Sequence, residues 1–317
     1  MLRSFLQLIR FPNLLFLALI LWVMEKWVAV PVLNKWLFPE QLPWWVLLLL
    51  ILAVVLIAGG GYVINDYFDI KIDRINRPDR LLVTTVFTKD QAMRLFYAMS
   101  ISGVLLGGVV ALLAHSRIVA IVVLLTTGLL WFYSSSYKRQ LLLGNLIVAF
   151  VSALVPMLVA MVNINFMEYR YEGLLQYTDL PRDMYIYLGG FALFAFLLTW
   201  IREIIKDLQD EVGDRELECH SLPIVIGATW TKVIVTILTV LAMVLVIYLA
   251  IWVLPFGGAW NTLTVRYAVF GIAVPLGCSL ALLWASKIPS DYRSAQLLIK
   301  FIMFLGVLFA FVIRQQL

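Results

Sequence analysis

The sequence carries little charge. Only 14% of its 317 residues are Asp, Glu, Lys or Arg, against roughly a quarter in soluble globular domains. Cysteine is almost missing. Cys219 and Cys278 are the only two, and they lie far apart without metal-ligand spacing, which excludes a disulfide framework and a zinc site. Histidine is as scarce, and His115 and His220 read as loop residues. Gly/Ser-rich linkers and tandem repeats are absent, so one membrane domain is expected over residues 1–317.

Apolar residues fill the space that charge leaves. They make up 63% of the chain, and mean hydropathy is +0.97. Nearly charge-free runs recur, each able to cross a hydrocarbon core of about 30 Å. These runs are continuous, which excludes the short alternating segments of a β-barrel. An all-α polytopic membrane bundle is expected, because a backbone in lipid must satisfy itself as helix. Nine spans are read, at about Phe11–Val30, Trp44–Ile64, Ala92–Ala114, Ile118–Ser136, Leu142–Val162, Met184–Ile205, Thr231–Leu254, Tyr267–Ser286 and Ala295–Ile313.

The first run follows Arg3 and Arg10 and has no small-residue cleavage site after it, so it reads as a retained helix. Glu25 and Lys26 fall inside it and are expected near an interface. Nine spans place the termini on opposite sides. Most basic residues, including Arg10, Lys71, Arg80, Lys138, Arg202 and Lys206, then share one side. By the positive-inside rule that side, with the N-terminus, is cytoplasmic.

Two acidic segments lie on this same side. The first runs from Asn65 through Asp66, Asp69 and Asp73 to Asn76, Arg77, Pro78 and Arg80. Steps of three and four residues place its carboxylates on one helical face. The second carries Glu203, Asp207, Asp210 and Asp214 at steps of four, three and four, with Gly213 expected to end or loosen its helix. Like charges at this spacing repel, and a divalent cation reverses that penalty. Mg²⁺ prefers oxygen ligands and commonly bridges carboxylates to substrate phosphates.

The run N-D-x-x-D-x-x-x-D from Asn65 to Asp73, with D-x-x-D-x-x-x-D from Asp207 to Asp214, resembles the UbiA superfamily of intramembrane prenyltransferases. The resemblance implies nine helices around a central cavity, capped by cytosolic loops. It implies a prenyl diphosphate bound through Mg²⁺ and a lipophilic acceptor, with membrane lipids but no nucleic acid as partners. Asn65, Asp66, Asp69 and Asp73 would serve one metal site; Asp207, Asp210 and Asp214 would serve the other. Arg10 and Asn13, entering the first span, and the element from Tyr133 to Lys138 are similar to further family features. Arg202 to Asp207 and Gly144-Asn145 are most similar to the enzymes that make digeranylgeranylglyceryl phosphate. Those transfer a geranylgeranyl group to a glycerol-phosphate ether lipid; aromatic acceptors of quinone, haem or chlorophyll type stay open.

The chemistry expected is cleavage of an allylic C–O bond, with negative charge gathering on the leaving diphosphate. Asp69, Asp73, Asp210 and Lys138 are the expected catalytic set. Arg80, Arg202 and Lys206 would add positive charge around the diphosphate. Tyr62, Tyr67 and Phe68 are candidates to face an allylic cation, and Glu203 is either a base or a salt-bridge partner. A cation transporter is the rival reading, but its acids belong at midplane rather than at one membrane edge.

Overall fold

Without water, an unpaired backbone N–H or C=O costs several kcal/mol, so each apolar run closes its own hydrogen-bond ladder. The computed structural model describes residues 1–76, 81–137, 140–216, 218–253, 262–315 and 317. Among the described residues nine helices are long and apolar enough to cross a membrane. They are α1 (Phe11–Lys35), α2 (Trp44–Phe68), α3 (Lys89–Leu113), α4 (Arg117–Ser135), α5 (Leu143–Arg170), α6 (Leu180–Glu216), α7 (Leu222–Trp252), α8 (Leu263–Ala285) and α9 (Pro289–Arg314). The chain is an all-α, multi-pass integral membrane protein.

Two compact units divide the described chain. The first comprises Met1–Lys138 and Leu154–Leu188; the second comprises Arg139–Ala153 and Gly189–Leu317.

In the first unit α2 packs along α3, and α1 and α4 pack on α2. Close approach sets this arrangement. A Cβ on Gly103 would stand 3.0 Å from the Ala53 carbonyl oxygen and 2.7 Å from Ile57 Cγ1, so α2 and α3 meet at backbone distance. Side chains cap the helix starts. The Thr88 hydroxyl accepts from the Gln91 N–H at 3.2 Å while the Gln91 side chain accepts from the Thr88 N–H at 2.9 Å, a reciprocal cap on α3. Ser116 likewise accepts from the Val119 N–H at the start of α4. A short helix, Leu2–Leu8, precedes α1. Its Leu8, with Ile9, joins Ile64, Ile70, Val83 and Phe96 in one core cluster. That cluster fixes the end of α2 and the segment after it, where the first acidic stripe lies.

Glu25 has an interhelical partner. It is fully buried within the protein, and the Asn163 amide donates to its Oε2 at 2.6 Å. A π-helical turn at Met24–Ala29 holds it there. A carboxylate buried among apolar side chains needs a donor, and an interhelical amide supplies one.

In the second unit, α9 packs on α8. Gly227 has φ 82° and ψ 158°, a conformation open to glycine, and it breaks α7 near its start. Lys232 Nζ donates to the Ser286 carbonyl at 2.7 Å and stands over the rings of Trp284 and Tyr292. Helix α6 is 37 residues long and carries the second acidic segment without interruption. Gly213 does not end it. A glycine costs a helix about 1 kcal/mol, too little to stop one already propagating, and Arg215 pairs with Glu211 across that turn at 2.7 Å.

Candidate active site: two acidic stripes

The first stripe lies wholly in the first unit. Helix α2 ends at Phe68, Asp69 is its C-cap, and a second helix covers Ile70–Asn76. Winding nonetheless continues through the junction. The Asp69 N–H donates to the Asn65 carbonyl at 2.9 Å, and the Asp73 N–H donates to the Asp69 carbonyl at 2.8 Å. Asn65, Asp69 and Asp73 thus follow one another at successive turns, as their spacing implies.

Two protein donors organise these acids. The Asn65 amide donates to Asp69 Oδ2 at 2.7 Å, and both residues are buried. Arg10 donates to Asp66 Oδ1 at 2.7 Å, and its guanidinium lies 4.8 Å from the centre of the Tyr62 ring. Asn13 donates to the Tyr62 hydroxyl at 3.4 Å. Burial acts to lower the Arg10 pKa, but the charges of Asp66, Tyr62 and Asp69 and the Asp66 hydrogen bond outweigh it and raise it. Arg10 adopts a left-handed backbone, φ 50° and ψ 51°, at the junction between Leu2–Leu8 and α1. That turn brings its side chain back towards α2.

An aromatic cluster adjoins this stripe. Tyr67 meets Phe68 edge to face at 5.3 Å, Phe68 meets Trp131 at 5.9 Å, and Phe96 meets Trp131 at 5.2 Å. Tyr133, two residues beyond Trp131 on α4, is buried.

The second stripe lies wholly in the second unit, on α6. Glu203 is buried; Arg202 donates to it, and Lys206 Nζ lies 3.7 Å away. Two cations thus flank this carboxylate, which is the geometry of a salt-bridge partner. Asp207 accepts from the Asn145 amide at 2.7 Å. Asp210 and Asp214 follow on the same helix, both partly buried. Gln209, immediately before Asp210, accepts from the Gln296 amide of α9 at 2.8 Å.

Arg80 and Lys138, expected to contact diphosphate, lie outside the described residues, as do Arg77, Pro78 and Arg139. Among the described residues, no three His, Cys, Asp or Glu side chains gather into a ready-made metal cluster. The donors above hold Asp66, Asp69, Glu203 and Asp207 each by a separate partner. Sequence spacing missed three pairings: Arg10 with Asp66, Asn145 with Asp207, and Asn163 with Glu25. A signal for two of them was present, since an amide within an apolar helix needs a partner from another segment.

The family model described as the UbiA prenyltransferase family matches residues 27–308. A digeranylgeranylglyceryl phosphate synthase of Methanosphaera stadtmanae is 32% identical over 187 residues, covering 58% of this chain and 59% of that protein. One from Sulfurisphaera tokodaii is 34% identical over 184 residues, with 57% and 59% covered. The chain therefore spans under two thirds of the length of these curated relatives. A solved structure of a digeranylgeranylglyceryl phosphate synthase superposes with a TM-score of 0.67 at 25% identity, covering 100% of this chain and 99% of the other. A UbiA homologue from Archaeoglobus fulgidus bound to DMAPP and Mg²⁺ has the same fold, with a TM-score of 0.61 at 14% identity and 99% and 100% covered. The chain belongs to the UbiA prenyltransferase family.

Proposed function

We propose that this protein transfers a prenyl group from an allylic prenyl diphosphate to a lipophilic acceptor, with Mg²⁺ as cofactor, acting as one membrane domain. The acceptor that the relatives favour is a glycerol-phosphate ether lipid receiving a geranylgeranyl group, since the curated relatives are named digeranylgeranylglyceryl phosphate synthases. The observation that carries the reading is the run of Asn65, Asp69 and Asp73 at successive turns, from the last turn of an apolar helix into the segment after it. Helix stability gives no reason for the like charges of Asp69 and Asp73 one turn apart.

The donor set suits a hard divalent cation. Carboxylate and amide oxygens dominate both stripes, with no thiolate or imidazole among them. Asp66 already pairs with a cation, the Arg10 guanidinium. Asn65, Asp66, Asp69 and Asp73 would hold metal from the first unit, and Asp207, Asp210 and Asp214 from the second. Bound magnesium supplies Lewis-acid neutralisation of the charge on the departing diphosphate.

Other roles fall to the protein's own side chains. Arg10 contributes fixed positive charge beside the first stripe, and Arg202 and Lys206 contribute it beside the second. Arg80 and Lys138 join this set on sequence grounds. Tyr67 and Phe68, beside the first stripe, are the aromatic candidates to stabilise an allylic cation, while the Tyr62 ring already carries the Arg10 guanidinium. The concentration of basic residues in the same segments supports a cytoplasmic location for the N-terminus and both stripes.

Purified protein with Mg²⁺, radiolabelled geranylgeranyl diphosphate and a panel of ether-lipid and aromatic acceptors tests the proposal. Labelled product is expected with the glycerol-phosphate ether lipid. Absence of product and of diphosphate release with every acceptor would overturn the enzymatic reading; product with an aromatic acceptor alone would reassign the substrate.

A further inference from the structure

Each acidic stripe contains one carboxylate held by a cation and another held by a neutral amide. In the first unit Arg10 holds Asp66, and the Asn65 amide holds Asp69 at 2.7 Å. In the second unit Arg202 and Lys206 flank Glu203, and the Asn145 amide holds Asp207 at 2.7 Å. The two kinds of partner differ in consequence. A cation orients a carboxylate but also neutralises it, so a metal must compete for the site. A neutral amide orients it without bringing a positive charge of its own.

We propose that Asn145 is a positioning residue that presents Asp207 to a divalent cation; this deepens the function proposed above and rests on it. Asn145 lies two residues into α5, 62 positions from Asp207 in sequence. Its amide engages Oδ2 and so fixes the plane of the carboxylate from another helix. This orientation also restricts the rotation of a side chain that would otherwise lose entropy on binding. Outer partners of this kind typically contribute 10- to 100-fold to metal affinity. Asn65 matches it in the first stripe, but through a four-residue step within one stretch of chain. In the second stripe the donor comes from another helix, so its role was invisible in the spacing of acids along α6.

The test uses the full chain in detergent, with Mn²⁺ binding read by electron paramagnetic resonance and folding by thermal melting. Asn145→Ala is expected to weaken Mn²⁺ binding about 10- to 100-fold, and Asp207→Ala at least as much. The exchange variant Asn145→Asp/Asp207→Asn rebuilds the amide–carboxylate hydrogen bond in reverse. It is expected to melt as the wild type does while binding Mn²⁺ weakly, because the charge now sits on α5. Wild-type affinity in Asn145→Ala alongside loss in Asp207→Ala overturns the positioning role and spares the enzymatic reading. Recovery of Mn²⁺ affinity in the exchange variant also overturns it, by showing a purely structural bond. Failure of the wild-type protein to bind Mn²⁺ removes the metal reading itself, and the positioning role with it.

Discussion

Arg10 donates to Asp66 at 2.7 Å across 56 residues of sequence, while its guanidinium faces the Tyr62 ring at 4.8 Å. One cation thus touches the first acidic stripe and an aromatic side chain at once. Arg10→Ala is expected to weaken prenyl diphosphate binding about tenfold or more, the scale of one hydrogen bond to a charged group. Mn²⁺ binding should not fall, since Asp66 loses a competing cation. Arg10→Lys should restore only part of the loss, because an ammonium lacks the planar fork. Equilibrium binding of labelled prenyl diphosphate, beside Mn²⁺ titration, checks both halves.

Metal dependence gives a second expectation. Chelation should reduce prenyl transfer to background, and added Mg²⁺ should restore it. Asp69→Asn and Asp210→Asn are expected to lower kcat by roughly 10²- to 10³-fold at saturating Mg²⁺, the cost of removing one preorganised electrostatic contribution. Steady-state assays across a Mg²⁺ series separate lost metal affinity from lost turnover. Unchanged kcat in both variants would remove these two acids from the catalytic set.

The Glu25–Asn163 pair predicts a stability effect unconnected with chemistry. Asn163→Ala takes away the donor 2.6 Å from a fully buried carboxylate. A loss of about 1–3 kcal/mol is expected, the cost of leaving a buried acceptor without its donor. Glu25→Leu combined with Asn163→Leu should cost less than Asn163→Ala alone, because both polar groups leave together. Unfolding in detergent, arranged as a double-mutant cycle, measures the coupling.

Two glycines of α3 should behave oppositely. Gly103→Ala forces a methyl against the Ala53 carbonyl and the Ile57 backbone nitrogen, at 3.0 and 3.1 Å. It is expected to destabilise by about 1–3 kcal/mol. A methyl on Gly108 meets nothing within 4 Å, and Gly108→Ala should be neutral or stabilise by up to about 1 kcal/mol. Thermal melting of the two variants decides the point.

Several features were readable from residue order alone, and each has a local cause. Apolar runs announced the nine helices because a backbone in lipid satisfies itself within a few residues. Asn65, Asp69 and Asp73 could be placed on one stripe because helical rise is regular, and that stripe survived the change of helix at Asp69. Gly213 shows where local reading overreached. A breaker's cost was visible, but the length of helix already formed on either side of it was not.

Pairings between helices obeyed a different logic. Glu25 finds Asn163 at a separation of 138 residues, and Asp207 finds Asn145 at 62. A hydrogen bond within a helix is dictated by neighbours in the chain, so composition and spacing determined the helices and the acidic stripes. Which amide or guanidinium meets each carboxylate depends on how separate helices pack, and residue order does not encode that packing locally. Only tertiary structure therefore decided that Arg10 belongs to Asp66, that Glu25 lies buried against Asn163, and that a neutral amide from α5 holds Asp207.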